Sequence, residues 1–379
     1  MRTFFVNDES TLHELCELLK QSDVVAMDTE FMRERTYYAQ LCLIQLATED
    51  FIACVDPLAL ENLKPLLDLL YDTKRLKILH AARQDLEIFF DLTGELPRPV
   101  YDTQIAATLL GHGDQLGYAK LVKAMLSVNV DKEHSRTDWG KRPLDDEQII
   151  YAENDVRYLI PMYRKQVEQL SDLGRDSWLQ ADFDNLTEKS LYAPHKENLW
   201  KRIKGTRILK RNQLAVIQSL AIWREEKAQS LNCPRKWVVP DDIMIELARR
   251  MPSSVEAMER LRGWKNSLKK YADDLLEKIR EARQIEESQW PSHESTSALS
   301  VEQEALVDFL MGIVRLKAVE NGVTPAVLTT RKDLERLVQK QSDISLLTGW
   351  RYELVGNDLV QFLNGAKTVH IHRDSIDID

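Results

Sequence analysis

The sequence predicts an α/β domain, a mixed sheet flanked by helices, over residues 1–170, followed by two all-α bundles. Three observations predict this. Short apolar runs rich in β-branched residues crowd the chain up to His80, with helical spacing between and after them. Beyond residue 208 the pattern is helical. Two polar stretches, 171–207 and 289–300, read as linkers and divide the chain into three parts. A length of 379 residues exceeds what one ordinary core accommodates, which agrees with that division.

Taken in order, Val24–Phe31, Leu41–Leu46 and Phe51–Val55 read as strands separated by polar turns, and their closeness suggests a meander. Leu60–Tyr71 has helical spacing, and Lys77–His80 returns as a buried strand. From Gln84 the pattern is mainly helical, through Leu116–Leu126 to one long helix around Asp145–Leu170. The first bundle is expected over 208–288, its helices between Arg211 and Arg283, and the second over 301–370, its helices between Val301 and Asn364. Each carries a long amphipathic helix, then a proline, then an aspartate eight residues on that opens a helix: Pro234 with Asp242, and Pro325 with Asp333. A weak internal repeat is the expectation.

Apolar residues at 44% and charged residues at 30% are the balance of a globular chain, and no apolar run approaches bilayer length. The N-terminus turns acidic at Asp8 before any signal-peptide core forms, so a cytoplasmic protein is expected. Cys16, Cys42, Cys54 and Cys233 are scattered without metal-binding spacing and read as reduced thiols. The net charge of −10 is unevenly spread. Residues 1–195 hold 21 Lys and Arg against 34 Asp and Glu, whereas residues 196–290 hold 21 against 14. A basic middle beside an acidic first part suits carboxylate-held metal ions next to a phosphate-holding module; a solvated basic face is the competing reading.

Three short segments carry candidate chemistry. Asp28 and Glu30 stand two apart in a strand, so both carboxylates project to one side. Adjacent carboxylates repel unless a cation lies between them, and hard divalent ions prefer oxygen ligands. Tyr151 and Asp155 share a helix face four residues apart, where a carboxylate could join the metal ligands and a phenol could orient water; core packing of the tyrosine competes. Asp85 opens a helix just past a buried strand, a place where an aspartate often serves only the helix dipole.

In their order and spacing, Asp28/Glu30, Asp85 and Tyr151/Asp155 resemble the three exonuclease motifs of the DEDD superfamily, in its tyrosine-bearing branch. Asp28-Thr29-Glu30-Phe31, Leu43–Leu46, Leu79-His80-Ala81, Tyr101–Gln104 and Arg142-Pro143-Leu144 are similar to ribonuclease D. Asn232-Cys233-Pro234, Trp237–Asp241 and Leu261-Arg262-Gly263 resemble the HRDC domain, and residues 301–364 look like a more divergent second copy. The resemblance implies a ribonuclease H-like sheet and 3′→5′ hydrolysis of RNA with two divalent ions, Mg²⁺ or Mn²⁺. Asp28, Glu30, Asp85 and Asp155 would be the ligands and Tyr151 the orienter of water. It further implies a single-stranded 3′ end as substrate, that of precursor tRNA above all. No obligate protein partner is evident. Phe31 and Thr29 are candidate contacts to the terminal nucleotide, and Lys201, Arg202, Lys204, Lys210 and Arg211 are candidate phosphate contacts. His80 and Asp102 are expected to be a buried, hydrogen-bonded histidine and a capping aspartate. A DNA exonuclease of the same fold, and a catalytically inactive RNA-binding scaffold, are the alternatives.

Overall fold

The computed structural model describes residues 1–131, 137–193, 195–293, 298–371 and 376–378. A six-stranded sheet forms from β1 (Arg2–Val6), β2 (Val24–Met32), β3 (Gln40–Ala47), β4 (Phe51–Val55), β5 (Leu76–Leu79) and β6 (Val100–Asp102), in the order β1-β4-β3-β2-β5-β6. β2, β3 and β4 are the expected antiparallel meander. The β1–β4, β2–β5 and β5–β6 pairs are parallel, so the sheet is mixed.

Alternation along β2 sorts the two faces. Val25 and Met27 point to one face, where Leu12, Leu15 and Leu19 of α1 (Glu9–Leu19), Leu66 and Leu70 of α2 (Lys64–Leu70), and Leu86 and Phe89 of α3 (Arg83–Thr93) cover them. Ala26 points to the other, beneath α4 (Thr103–Leu109), α5 (Tyr118–Leu126), α6 (Asp146–Arg157) and α7 (Leu159–Asp172). Each fully buried leucine contributes about 1.5–3 kcal/mol, so both layers are held mainly by apolar burial.

The single helix expected around 145–170 is two. Pro161 has no N–H to donate and fits only the first turn of a helix. The chain therefore restarts at Leu159 after Tyr158, whose amide donates to the Tyr118 hydroxyl at 3.2 Å. That hydroxyl in turn donates to the Asn154 carbonyl at 2.6 Å, satisfying an acceptor at the end of α6. Strand β6 is also a departure from the expected helical run, as three residues are too few to show periodicity. Within the first expected linker the chain is ordered: Leu179 packs under α7, Leu186 joins the α1–α3 side, and Leu199, Trp200 and Ile203 belong to the first bundle's core. The stretch 171–207 is thus a packed connector; its residue 194, and residues 294–297 of the 289–300 stretch, lie outside the described residues.

Both C-terminal parts are helical, and their element orders match. Each opens with a 20-residue helix, Arg211–Ser230 in one and Val301–Glu320 in the other. A one-turn helix follows, Arg235–Val238 capped by Pro234, or Pro325–Leu328 begun by Pro325. Then comes a helix with the matching aspartate in its first turn, Asp241–Arg250 or Arg331–Val338. Their cores are separate, around Leu214, Leu220 and Leu247 in the first and Leu310, Leu328 and Leu359 in the second. Among the described residues no helix is long and apolar enough to cross a membrane.

Each bundle touches the α/β domain or its connector at its own place. Asn232 Oδ1 accepts from the amides of Tyr37 and Tyr38 at 3.1 Å, and the Tyr37 hydroxyl donates to Glu225 at 2.6 Å. In the second bundle Trp350 stacks on Trp178, 4.5 Å between centroids and 2° from parallel, and donates its indole N–H to the Trp178 carbonyl. Arg351 pairs with Asp182 at 2.9 Å. Gly111 lies so close to this bundle that a Cβ there would meet the Gly322 carbonyl at 2.8 Å, and its φ of +75° also favours glycine.

Candidate active site

Asp28 and Glu30 leave β2 on the face covered by α6, opposite Gln45 and Leu43 of β3. A bulge follows Glu30, where β3 inserts Cys42, and it re-aims the end of β2. The next helix over this face is fixed firmly. Asp145 and Gln148 form a reciprocal capping box at the start of α6. Arg142 just before it forks onto both oxygens of Asp56, at 2.6 and 2.8 Å, and donates to the Cys42 and Trp139 carbonyls. This gives the Arg-Pro-Leu motif a physical purpose: it clamps the entry to α6 against β3 and β4.

With α6 so placed, Asp155 reaches the strand carboxylates. One oxygen from each of Asp28, Glu30 and Asp155 lies within 4.8 Å of the others. One turn back on the same helix, Tyr151 hydrogen-bonds Asp155, as i and i+4 on one face should. Its ring packs 6.0 Å from that of Trp139.

Asp85 arrives differently. It is buried in the first turn of α3 and accepts a 2.5 Å hydrogen bond from Thr29, the residue between the two strand carboxylates. The turn before α3 is held by Asp102. Its carboxylate accepts from the amides of Ala81 and Ala82 at 3.1 and 2.8 Å, and from Gln104 and Ile105 at the start of α4. Ala81 sits at φ +57°, a strained conformation for alanine that those bonds help to hold. His80 meets Thr103 Oγ1 at 3.0 Å. Asp102 is therefore the expected cap, and His80 is hydrogen-bonded as expected but only half-buried, on the cavity wall.

The electrostatics record crowding of like charge. Burial and then repulsion from Asp155 and Asp85 push the Glu30 carboxyl up to about 9. Burial, then Asp85, Asp155 and Glu30, hold Asp28 well above the carboxylate range. Asp155 rises to about 7 by burial despite the Tyr151 hydrogen bond, and Asp85 to about 7 by burial despite Thr29. The Tyr151 phenol is raised by burial and by Asp155, so at neutral pH it is a hydrogen-bond donor and acceptor and no base. Hard-oxygen donors that repel one another this strongly fit divalent cations.

Asp28, Glu30 and Asp85 line a cavity of about 520 Å³ together with Thr29, Phe31, His80 and Trp139. Phe31 does two jobs: half-buried, it packs against the α1–α3 core and also faces the cavity. Thr29 lines it too, but its hydroxyl is committed to Asp85. Trp139 and Gln84 are cavity residues that the sequence did not disclose, since neither stands in a patterned position. The five basic candidates are all exposed on the connector or at the start of the first bundle. Arg211 pairs with Glu287, and Arg202 lines a second cavity beside the first bundle.

Comparison with known proteins agrees with this geometry. The 3'-5' exonuclease family matches residues 3–171, and the HRDC domain family matches residues 213–279. Ribonuclease D of Bartonella henselae is 37% identical over 352 residues, which span 92% of this chain and 86% of that protein. The chain belongs to the ribonuclease D family. Another member, from Jannaschia sp., is 38% identical over 96% of this chain and 95% of its own length. The fold matches the crystal structure of Escherichia coli RNase D, described as an exoribonuclease involved in structured RNA processing. The TM-score is 0.82 at 31% identity, covering 96% of this chain and 99% of that one.

Proposed function

We propose that this ribonuclease D family member removes nucleoside 5′-monophosphates one at a time from single-stranded RNA 3′ ends, with precursor tRNA as a substrate. The observation that carries the reading is the cluster of Asp28, Glu30 and Asp155 within 4.8 Å, with Asp85 brought in by Thr29. Those four carboxylates would hold two divalent ions, Mg²⁺ or Mn²⁺. Bound there, such ions supply Lewis acidity to the phosphodiester and lower the pKa of the attacking water. Tyr151 orients that water: its hydroxyl already lies on Asp155, and releasing that bond lets it hold the water's lone pair or proton in line. Phe31 offers a ring face to the terminal base from the cavity wall.

In this reading residues 1–170 are the exonuclease domain, 171–207 the connector, 208–288 the HRDC domain and 301–370 a second HRDC-like domain. The matched element orders of the two bundles support the last assignment. The protein works in the cytoplasm without an obligate partner. The E. coli relative's part in structured RNA processing supports the tRNA assignment.

The test is digestion of matched single-stranded RNA and DNA in Mg²⁺ or EDTA, by wild type and Asp28→Ala. Stepwise RNA shortening that disappears with EDTA and in the variant is the expected result. Preferential cutting of DNA would defeat the RNA assignment, and no cutting under any divalent ion would leave a binding scaffold.

A further inference from the structure

One cavity adjoins the catalytic one and a second adjoins the first, and their charge differs. The first, of about 380 Å³, lies between the α/β domain and the first bundle and shares Arg33 with the catalytic cavity. Four arginines line it, Arg33, Arg83, Arg202 and Arg235, against only two carboxylates, Glu87 and Asp91. The second, of about 350 Å³, lies against the second bundle, shares Arg83 with the first, and reverses the balance. There Arg83 and Arg351 face Asp114, Asp182 and Asp333, and Arg351 is already paired with Asp182.

We propose that the RNA strand upstream of the scissile bond runs through the first groove, its phosphates on Arg83 and Arg202 and its bases against Tyr38 and Tyr192. The inference rests on the exoribonuclease reading above and adds a path to it. Arg33 is paired with Glu87 at 3.1 Å and Arg235 with Glu225, so these two shape the walls. Arg83 and Arg202 are exposed and, among the described residues, have no carboxylate within salt-bridge distance. Arg83 donates a long 3.4 Å hydrogen bond to the Leu191 carbonyl, and Arg202 feels Glu225 only at a distance. Two guanidinium groups outside any salt bridge in a concave site suit phosphodiesters, which accept in the planar, forked geometry that guanidinium offers. Arg83 stands two residues before Asp85 on α3, so the groove starts within one helical turn of the metal ligands. Tyr38 and Tyr192, both half-buried, present rings that tolerate any base. The second groove, with its excess of carboxylates, repels the same strand. The second bundle then serves as a brace, stacked through Trp178 and Trp350, and contacts no RNA.

The test measures binding of a 5′-fluorescein-labelled 12-nucleotide single-stranded RNA by anisotropy in EDTA, over a series of salt concentrations. Wild type is compared with Arg83→Ala, Arg202→Glu and, on the second bundle, Lys332→Glu. Digestion of the same RNA by wild type in Mg²⁺ is run beside it. Arg202→Glu should weaken binding about tenfold and flatten the log–log salt slope by about 0.7, the single-strand value for one phosphate contact. Arg83→Ala should act in the same direction, with Lys332→Glu equal to wild type. Wild-type binding by both arginine variants, or loss confined to Lys332→Glu, would overturn the path while the Mg²⁺ digestion left the exoribonuclease reading standing. If wild-type protein neither cuts nor binds the RNA, both readings fall together.

Discussion

Glu30→Gln should make the metal-free protein more stable while abolishing its activity. In the folded state, burial and two neighbouring carboxylates hold the Glu30 carboxyl at about 9, against an ordinary value of 4.5. The folded form therefore keeps a proton that the unfolded chain has released, and stability falls as pH rises from the lower value to the higher. At pH 8 the wild type bears that cost over about 3.5 pH units, an upper limit near 5 kcal/mol at 1.36 kcal/mol per unit. At pH 5.5 the same arithmetic leaves about 1 kcal/mol. Direct Coulomb arithmetic is of similar size: two charges at the cluster's 4.8 Å limit repel by about 3.5 kcal/mol at an effective dielectric constant near 20. Glutamine has glutamate's shape without its charge, so the variant should melt on the order of 10 °C higher at pH 8 in EDTA, at about 2–4 °C per kcal/mol. The gain should shrink to a few degrees at pH 5.5. Scanning calorimetry at the two pH values, in EDTA and then with Mg²⁺, reads this directly. Mg²⁺ should raise the wild-type melting temperature more at pH 8 than at pH 5.5, and raise that of the variant less. A variant that melts at or below wild type at pH 8 in EDTA would refute the claim that these carboxylates are held together against their repulsion.

Other consequences are equally open to measurement. Tyr151→Phe should lower kcat about 10²-fold, at the lower end of what positioned proton-handling groups contribute, with KM within about threefold; an unchanged kcat would remove Tyr151 from the reaction. Arg142→Ala leaves Asp56 buried and unpaired, so it should cost about 3–5 kcal/mol in urea titrations of the exonuclease domain. A loss under 1 kcal/mol would show that the clamp on α6 is dispensable. Trp350→Ala removes both the ring stack and the indole donor at the second bundle's contact, so cleavage after Glu286 and Glu287 by a glutamate-specific protease should speed up several-fold. Unchanged cleavage would mean that the remaining contacts, Arg351 with Asp182 and Thr324 N–H to the Thr108 carbonyl among them, hold the bundle without the stack.

What was legible in the sequence follows from how each signal arises. That Asp28 and Glu30 share a side was readable because strand alternation is strict, and that Tyr151 and Asp155 share a face because four residues make about a helical turn, whereas joining the two pairs into one site rested on the resemblance. The break at Tyr158 was written in Pro161 but was outweighed by the apolar periodicity on either side of it. β6 and the packed connector were hidden for a different reason. Their residues are sorted by tertiary contacts, such as Lys77 N–H to Pro99 O and Trp200 in the first bundle's core, and not by local period. The role of Thr29 likewise depends on a partner 56 residues away. The grooves around Arg83 and Arg202 arise only when three parts of the chain meet, so composition could announce a basic middle but not where the charge converges.

Asp102 has a consequence for charge neutrality. Four backbone amides saturate its carboxylate, so although it is bonded to the turn that delivers Asp85 it is unavailable as a ligand. In the proposed reading the ligand set of Asp28, Glu30, Asp85 and Asp155 would carry four negative charges, which two divalent cations would cancel. A phosphodiester arriving at such a neutral centre finds no net attraction to draw it in from a distance. Long-range recruitment would then fall to the arginines around the cavity, and a site without net charge of its own should release a doubly charged monophosphate product readily.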